Sequence, residues 1–137
     1  MGTRLILSGL LLFFTMSVLA QQKKKGENPQ LASGKKVYAS LCIACHQEDG
    51  SGVPSLNPPL MNSDWVSGDK NRLINIVLKG LQDKIEVNGE SYEAVMPAND
   101  YLSDKEVADV LTYVRNSFGN KATAITSAEV KAVRDKK

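Results

Sequence analysis

The chain is 137 residues long, with 42% hydrophobic, 23% charged and 6% aromatic residues. This length corresponds to one domain, and the composition excludes a polytopic membrane protein, a coiled coil and a disordered charged arm. The formal net charge of +2 is too small for a nucleic-acid-binding protein, and the sequence contains no basic helix. A domain of this size with so few aromatic side chains is expected to have a thin hydrophobic core.

The first twenty residues, 1–20, are typical of a secretory signal peptide. Arg4 provides a positive start, and the apolar run that follows is too short to span a bilayer comfortably. Ala20 immediately precedes a possible cleavage site, so we expect the mature protein to begin at Gln21 and to act in the periplasm or otherwise outside the cytoplasm. An uncleaved N-terminal anchor is the alternative. Residues 21–29 are predicted to form a flexible polar leader.

The first predicted helix starts at Gln30. Apolar or small residues recur from there at three- and four-residue steps, which places one stripe on a helix face: Leu31, Gly34, Val37, Tyr38 and Leu41. Residues 46–71 then contain six glycines and prolines and show no regular hydrophobic period, which predicts a loop. So long a loop is unusual in a compact domain, and we expect it to wrap around something.

A short helix and a hairpin follow this loop. Apolar residues over 73–81 indicate the helix, and Gly80 near its end is a stop signal. Residues 87–90 read Val-Asn-Gly-Glu, which is typical of a tight turn. Because Ile85 and Tyr92 flank this turn, we predict a small antiparallel hairpin.

Two further helices are predicted towards the C-terminus. Ser103 and Glu106 have the spacing of a capping box and open a helix that we expect to end near Gly119. Residues 120–137 are predicted to form a C-terminal extension with one short helix at 127–134. The sequence contains no repeats and no alternation of strands with helices, so the expected class is all-α.

The chemistry of the chain is concentrated in one pentapeptide. Its only two cysteines, Cys42 and Cys45, and its only histidine, His46, form a C-x-x-C-H motif. This is the motif of covalent c-type haem attachment. Two thiols at this spacing can each form a thioether with one porphyrin vinyl group, and the adjacent imidazole then takes an axial position on the iron.

Other readings of the motif fit less well. A structural zinc site needs four ligands, and the chain has no further Cys or His to supply the fourth. A thioredoxin-type redox pair would accompany a strand–helix–strand pattern, which is missing. A plain disulfide is possible in an exported protein but leaves His46 without a role.

The candidates for a second axial ligand can be reduced to two residues by elimination. With no second histidine, and with two of the four methionines inside the signal sequence, the candidates are Met61 and Met96. Met61 lies in the proline-rich segment expected on the His46 side, whereas Met96 precedes Pro97 in a loop between two predicted helices. We therefore expect Met96 to be the ligand, core packing being the alternative. A His/Met pair closes the iron to substrates and suits electron transfer.

The sequence resembles the class I c-type cytochromes over 30–119. The resemblance rests on a helix leading into the C-x-x-C-H motif and on short segments at fixed places along the chain: Gly34 with Tyr38, Pro58-Pro59-Leu60, Met96-Pro97 and Leu111-Thr112-Tyr113-Val114. It implies the cytochrome c fold, with three to five helices around one covalently bound haem c. The predicted hairpin would then precede the axial methionine.

The resemblance also assigns roles to residues outside the motif. In this family the histidine donates its second ring proton to a backbone carbonyl, which here would be that of Pro58, with Leu60 against the haem. A proline that only stiffens the loop is the alternative for Pro58. The first and last helices of the family cross at a glycine and an aromatic residue, which here would be Gly34 and Tyr113.

The function implied by these features is single-electron transfer by a monohaem carrier, which is not an enzyme by itself. Its partners would be a redox donor and a redox acceptor protein, with the chain acting as a monomer or as a subunit. The region from 102 to 134 looks like the cytochrome domains and subunits attached to periplasmic copper nitrite reductases and quinone-dependent alcohol dehydrogenases. A cytochrome subunit of an oxidoreductase complex is therefore an alternative, and a small haem peroxidase or gas-binding cytochrome is a third.

Overall fold

The computed structural model describes residues 28–136, so the predicted signal peptide and almost all of the predicted leader lie outside the described residues. Within this range the chain forms six helices and one two-stranded antiparallel sheet. In chain order they are α1 (Pro29–Leu41), α2 (Ile43–His46), α3 (Asp64–Ser67), α4 (Lys70–Lys79), β1 (Ile85–Val87), β2 (Glu90–Tyr92), α5 (Asp104–Arg115) and α6 (Ser127–Arg134). The expected helical class is confirmed. Since α2 and α3 are single turns, four helices carry the architecture.

Helices α1 and α5 cross at a glycine. Helix α1 begins where the Asn28 side chain accepts a hydrogen bond from the Gln30 amide at 3.0 Å. One turn later, a Cβ on Gly34 would collide with the Asp109 carbonyl and would lie 2.7 Å from Cβ of Tyr113. The two helices therefore meet backbone to backbone at Gly34, which explains a glycine at a position where it otherwise costs helix stability.

Helix α5 begins as expected but ends early. The Ser103–Glu106 capping box is formed, with the Ser103 amide donating to the Glu106 carboxylate at 2.9 Å. The helix stops at Arg115 rather than near Gly119, because the Ala122 amide donates to the Arg115 carbonyl at 3.0 Å. That bond replaces the one a continuing helix would make, and the chain turns back with Gly119 in the left-handed region at φ 82°.

The segment between α2 and α4 is mostly irregular, as expected, but contains the unpredicted turn α3. The Ser63 hydroxyl accepts from the Val66 amide at 3.4 Å, which starts this turn of helix. Earlier in the segment the amides of Leu60 and Met61 both donate to the Gly50 carbonyl, at 2.8 and 3.0 Å. These bonds hold the long loop in one conformation.

The predicted hairpin is confirmed. Strands β1 and β2 pair with Ile85 opposite Tyr92 and Val87 opposite Glu90. Between them Asn88 and Gly89 both have positive φ, at 52° and 83°, as a two-residue turn of this kind requires.

The segment after Gly119 is built into the core. Ile125 and Val130 are fully buried, and α6 packs against α4 and α5. The Thr112 hydroxyl of α5 accepts a hydrogen bond from the Ile125 amide at 2.9 Å and donates one to the Ile125 carbonyl at 3.1 Å. Among residues 28–136, no helix has the length and apolar character needed to cross a bilayer.

Candidate cofactor site

The predicted site residues line one apolar cavity. Its volume is about 1210 Å³, part of it open to solvent. Aliphatic side chains of α4, α5 and the hairpin form much of its wall: Leu73, Ile76, Val77, Ile85, Val87, Val110, Leu111 and Val114. A cavity of this size and character suits a large, flat and mainly apolar ligand.

Cys42, Cys45 and His46 are brought together where α1 runs into α2. The amides of Cys45 and His46 both donate to the Cys42 carbonyl, at 3.2 and 2.9 Å, which forms the single turn α2. All three side chains line the cavity, and both thiols are free. Before haem attachment, burial, followed by the proximity of Cys45, raises the pKa of the Cys42 thiol to about 11.

The His46 imidazole has a fixed orientation. Its Nδ1 lies 3.1 Å from the Pro58 carbonyl oxygen, which can only accept a hydrogen bond. The proton therefore belongs on Nδ1, and Nε2 keeps a free lone pair suited to a metal. Burial lowers the pKa of His46 and the bond to Pro58 opposes this shift. Because the net direction is downward, the neutral form that binds metals is favoured at neutral pH.

Of the two candidate methionines, Met96 lines the cavity and Met61 is not among the described lining residues. Met96 is held by a short bridge to Leu81, in which each amide donates to the other residue's carbonyl at 2.9 Å. Met61 is part of the loop anchored on Gly50 instead. The thioether of Met96 thus shares its cavity with His46.

Leu60 also lines the cavity, and a residue that the sequence did not single out holds it there. Buried Asn120 donates from Nδ2 to the carbonyls of Leu60, at 2.8 Å, and Val114, at 3.0 Å. Its Oδ1 accepts from the Ser63 amide at 3.2 Å. One amide side chain therefore joins the loop to the end of α5. Its partners are backbone groups distant in sequence, so no local pattern marks it.

Trp65 completes the rim on the side of α3. It lines the cavity, and the Arg72 guanidinium lies 4.2 Å from the centre of its ring. This cation–π contact fixes the indole between α3 and α4. The wall therefore offers apolar surface for a macrocycle, two thiols for covalent attachment, and an imidazole and a thioether as ligands. This donor set fits haem c.

The comparison with known families agrees with this fit. Fold and site together define a small haem-binding protein of the c type, and the family model described as Cytochrome c matches residues 31–118. The chain belongs to the cytochrome c family. Its cofactor is a covalently bound haem c, with Cys42 and Cys45 at the attachment positions of the C-x-x-C-H motif.

The similar proteins include a small cytochrome and cytochrome subunits of larger enzymes. Cytochrome c-552 of Thermus thermophilus is 37% identical over 115 residues, which cover 77% of this chain and 87% of that protein. The gluconate 2-dehydrogenase cytochrome c subunit of Pantoea cypripedii is 38% identical over 117 residues, which cover 80% of this chain but 25% of the subunit. The alcohol dehydrogenase (quinone) cytochrome c subunit of Gluconacetobacter polyoxogenes is 33% identical over 110 residues, which cover 79% of this chain and 24% of that subunit.

Proposed function

We propose that this protein is an exported monohaem electron carrier, in which His46 and Met96 would both ligate the haem iron. Cys42 and Cys45 hold the macrocycle through thioether bonds. The observation that carries the proposal is that these four side chains, from two distant parts of the chain, line the same apolar cavity. The bound haem supplies a one-electron iron couple.

The protein's own residues tune and protect this couple. The His46–Pro58 bond of 3.1 Å keeps the imidazole in one tautomer and one orientation. Met96, as the sixth ligand, leaves no position for a substrate, so the chain carries electrons and is not an enzyme by itself. The apolar lining would limit the water around the ligands, which would keep the reorganisation on electron transfer small.

The optical spectrum of the oxidised holoprotein tests the ligand assignment. A weak red sulfur-to-iron band reports methionine ligation, and we expect Met96→Leu to abolish it and to permit rapid cyanide binding. Met61→Leu is the matched control and should keep the band. Loss of the band in Met61→Leu, with retention in Met96→Leu, would show that Met61 rather than Met96 is the ligand. Rapid cyanide binding by the wild type without the band would instead favour a gas-binding or peroxidase role.

Attachment is tested separately on the thiols. A Cys42→Ser/Cys45→Ser variant should lose its haem on denaturing electrophoresis, whereas the wild type should keep it. Retention of haem by the double variant would contradict the thioether assignment.

Export follows from the composition of residues 1–20, which have a positive start, an apolar run and a small residue before a polar stretch. Release of a mature chain starting at Gln21 places the cytochrome in the periplasm or its equivalent. The intact mass of the exported holoprotein measures cleavage and haem content together. A mass that includes residues 1–20 would support an uncleaved anchor.

A cytochrome subunit of a dehydrogenase complex is the second candidate, because several similar proteins bear that description. This chain aligns with only about a quarter of two such subunits, whereas it covers most of cytochrome c-552. Gentle purification from the native host separates the two, since a subunit stays with a large complex and a carrier elutes alone.

A further inference from the structure

The C-terminal helix α6 is fastened to the Met96 segment, which is the stretch of residues 93–103 between β2 and α5. Arg134, its last residue, donates from Nη1 to the Asp100 carbonyl at 2.8 Å and from Nη2 to the Leu102 carbonyl at 2.7 Å. Its Nε donates to the Asp104 carboxylate, also at 2.7 Å. One planar guanidinium thus spans the end of the Met96 segment and the start of α5, a geometry that a lysine cannot reproduce.

The opposite side of this segment is fastened to α4 and to Leu81, two residues beyond the end of α4. Met96 is bridged to Leu81, and the Asn99 amide donates to the Val77 carbonyl at 2.9 Å. Between these bonds and Arg134 the segment has few other anchors, because Tyr101 is exposed and bonds only to its neighbour Asn99. The bonds from Arg134 to Asp100 and Leu102 therefore restrict movement of the C-terminal part of the segment.

Leu102 links these bonds of Arg134 to the cavity. Its side chain is buried and lines the same cavity as Met96, while its carbonyl receives the Arg134 hydrogen bond. Movement of Leu102 away from α5 would open the wall beside Met96. The Arg134 side chain is 31% exposed, so its bonds to Leu102 and Asp104 are partly shielded from water.

We propose that Arg134 is a positioning residue for Met96: by clasping Asp100, Leu102 and Asp104 it keeps the methionine segment closed and lowers the rate and extent of ligand exchange at the sixth position. The inference rests on the proposed His46/Met96 ligation. It also makes α6, which lies beyond the region matched by the family model, part of the machinery that sets ligand exchange.

The chain supplies a control for general loosening of α6. Lys70 of α4 ties the start of the same helix, donating to the Ala124 carbonyl at 2.6 Å and to the Glu129 carboxylate at 2.9 Å. Its bonds do not involve the Met96 segment. Lys70→Met and Arg134→Met each remove one anchor of α6, but only the second removes an anchor of the methionine segment.

The experiment titrates each oxidised holoprotein with imidazole at neutral pH and follows loss of the sulfur-to-iron band. Removing three bonds of modest net strength should make imidazole bind about tenfold more tightly to Arg134→Met than to the wild type. Lys70→Met should stay within about twofold of the wild type. Arg134→Lys keeps the charge opposite Asp104 without the fork and should lie between them.

Three results decide the outcome. Equal shifts in Arg134→Met and Lys70→Met, or no shift in Arg134→Met and Arg134→Lys, overturn the positioning role while leaving methionine ligation intact. If Arg134→Met does not retain haem, Arg134→Lys takes its place in the comparison. An imidazole affinity of Arg134→Lys equal to that of the wild type then overturns the positioning role. A wild-type protein without the band overturns the ligand assignment and this inference with it.

Discussion

The backbone of Met96 passes so close to Gly80 that a Cβ on Gly80 would lie 2.5 Å from the Met96 carbonyl oxygen. Gly80 itself has φ 76°, in the left-handed region, and follows the last residue of α4. The glycine therefore does two things: it ends the helix, and it lets the methionine segment pair with Leu81. The sequence pattern predicted the first of these, whereas the second requires the fold.

We predict that Gly80→Ala destabilises the holoprotein by about 2–4 kcal/mol, because the substitution combines left-handed strain of about 1 kcal/mol with a backbone collision. The sulfur-to-iron band should weaken as Met96 is pushed away. Gly89→Ala is a matched control, since Gly89 has φ 83° but nothing lies within 4 Å of its added methyl group. Equal losses in urea unfolding would show that strain alone accounts for the effect.

Asn120 offers a second test, directed at the loop. In Asn120→Asp a carboxylate would replace the Nδ2 donor and face the carbonyls of Leu60 and Val114, and we expect a loss of about 2–4 kcal/mol in unfolding free energy. Asn116→Asp removes a comparable amide bond, to the Thr112 carbonyl, at an exposed side chain. This control should cost about 1 kcal/mol or less. If Asn120→Asp loses no more unfolding free energy than Asn116→Asp, Asn120 does not join the loop to the end of α5 as proposed.

Acid should weaken the attachment of α6. The Lys70 ammonium, assisted by the Thr126 amide, lowers the pKa of Glu129 from 4.5 to about 2. The folded state therefore binds the Glu129 proton less tightly than the unfolded chain, so this contribution is present above pH 4.5 and is lost as pH falls towards 2. Because Glu129 is 39% exposed, we expect about 1 kcal/mol or less.

Unfolding free energies measured between pH 6 and pH 3 check this prediction. The wild type should lose more stability over that range than Glu129→Gln, which lacks the titrating group. Lys70→Met removes the largest cause of the shift and should flatten the same part of the pH profile. Parallel profiles for all three proteins would contradict the assignment.

Without haem, the chain should be largely unfolded, with residual helix in α1, α5 and α6. Without haem, the aliphatic side chains that line the cavity would be exposed to water, which is unfavourable. Circular dichroism of the apoprotein, prepared from the Cys42→Ser/Cys45→Ser variant, measures the residual helix. A cooperative, native-like thermal transition would refute the prediction.

Features encoded by neighbouring residues could be predicted from the sequence. The capping box at Ser103, the Asn88-Gly89 turn and the start and end of α6 all depend on residues within a few positions of each other, and the structure has them as expected. The C-x-x-C-H motif belongs to the same class, because its spacing carries its chemistry. That Met96 rather than Met61 lines the cavity could be predicted from their placement relative to the loops.

What the sequence could not predict depends on side chains that bind distant backbone carbonyls. Arg115, buried inside the protein, donates to the carbonyls of Val66 and Gly68, and Arg134 binds those of Asp100 and Leu102. Every residue has a backbone carbonyl, so the type of the accepting residue does not reveal which carbonyl an arginine binds. The Thr112 hydroxyl likewise binds the backbone of Ile125, which ties the C-terminal extension to the core. The early end of α5 depends instead on a backbone bond, from the Ala122 amide to the Arg115 carbonyl.

The burial of Ile125 and Val130 bears on the order of events during maturation. The haem-attachment motif lies in the first third of the chain, whereas these two residues close the core from its last tenth. Because the chain is expected to be largely unfolded without haem, Cys42 and Cys45 should be accessible for attachment before Ile125 and Val130 pack. We therefore expect haem attachment to come first and the packing of α6 to complete the core afterwards.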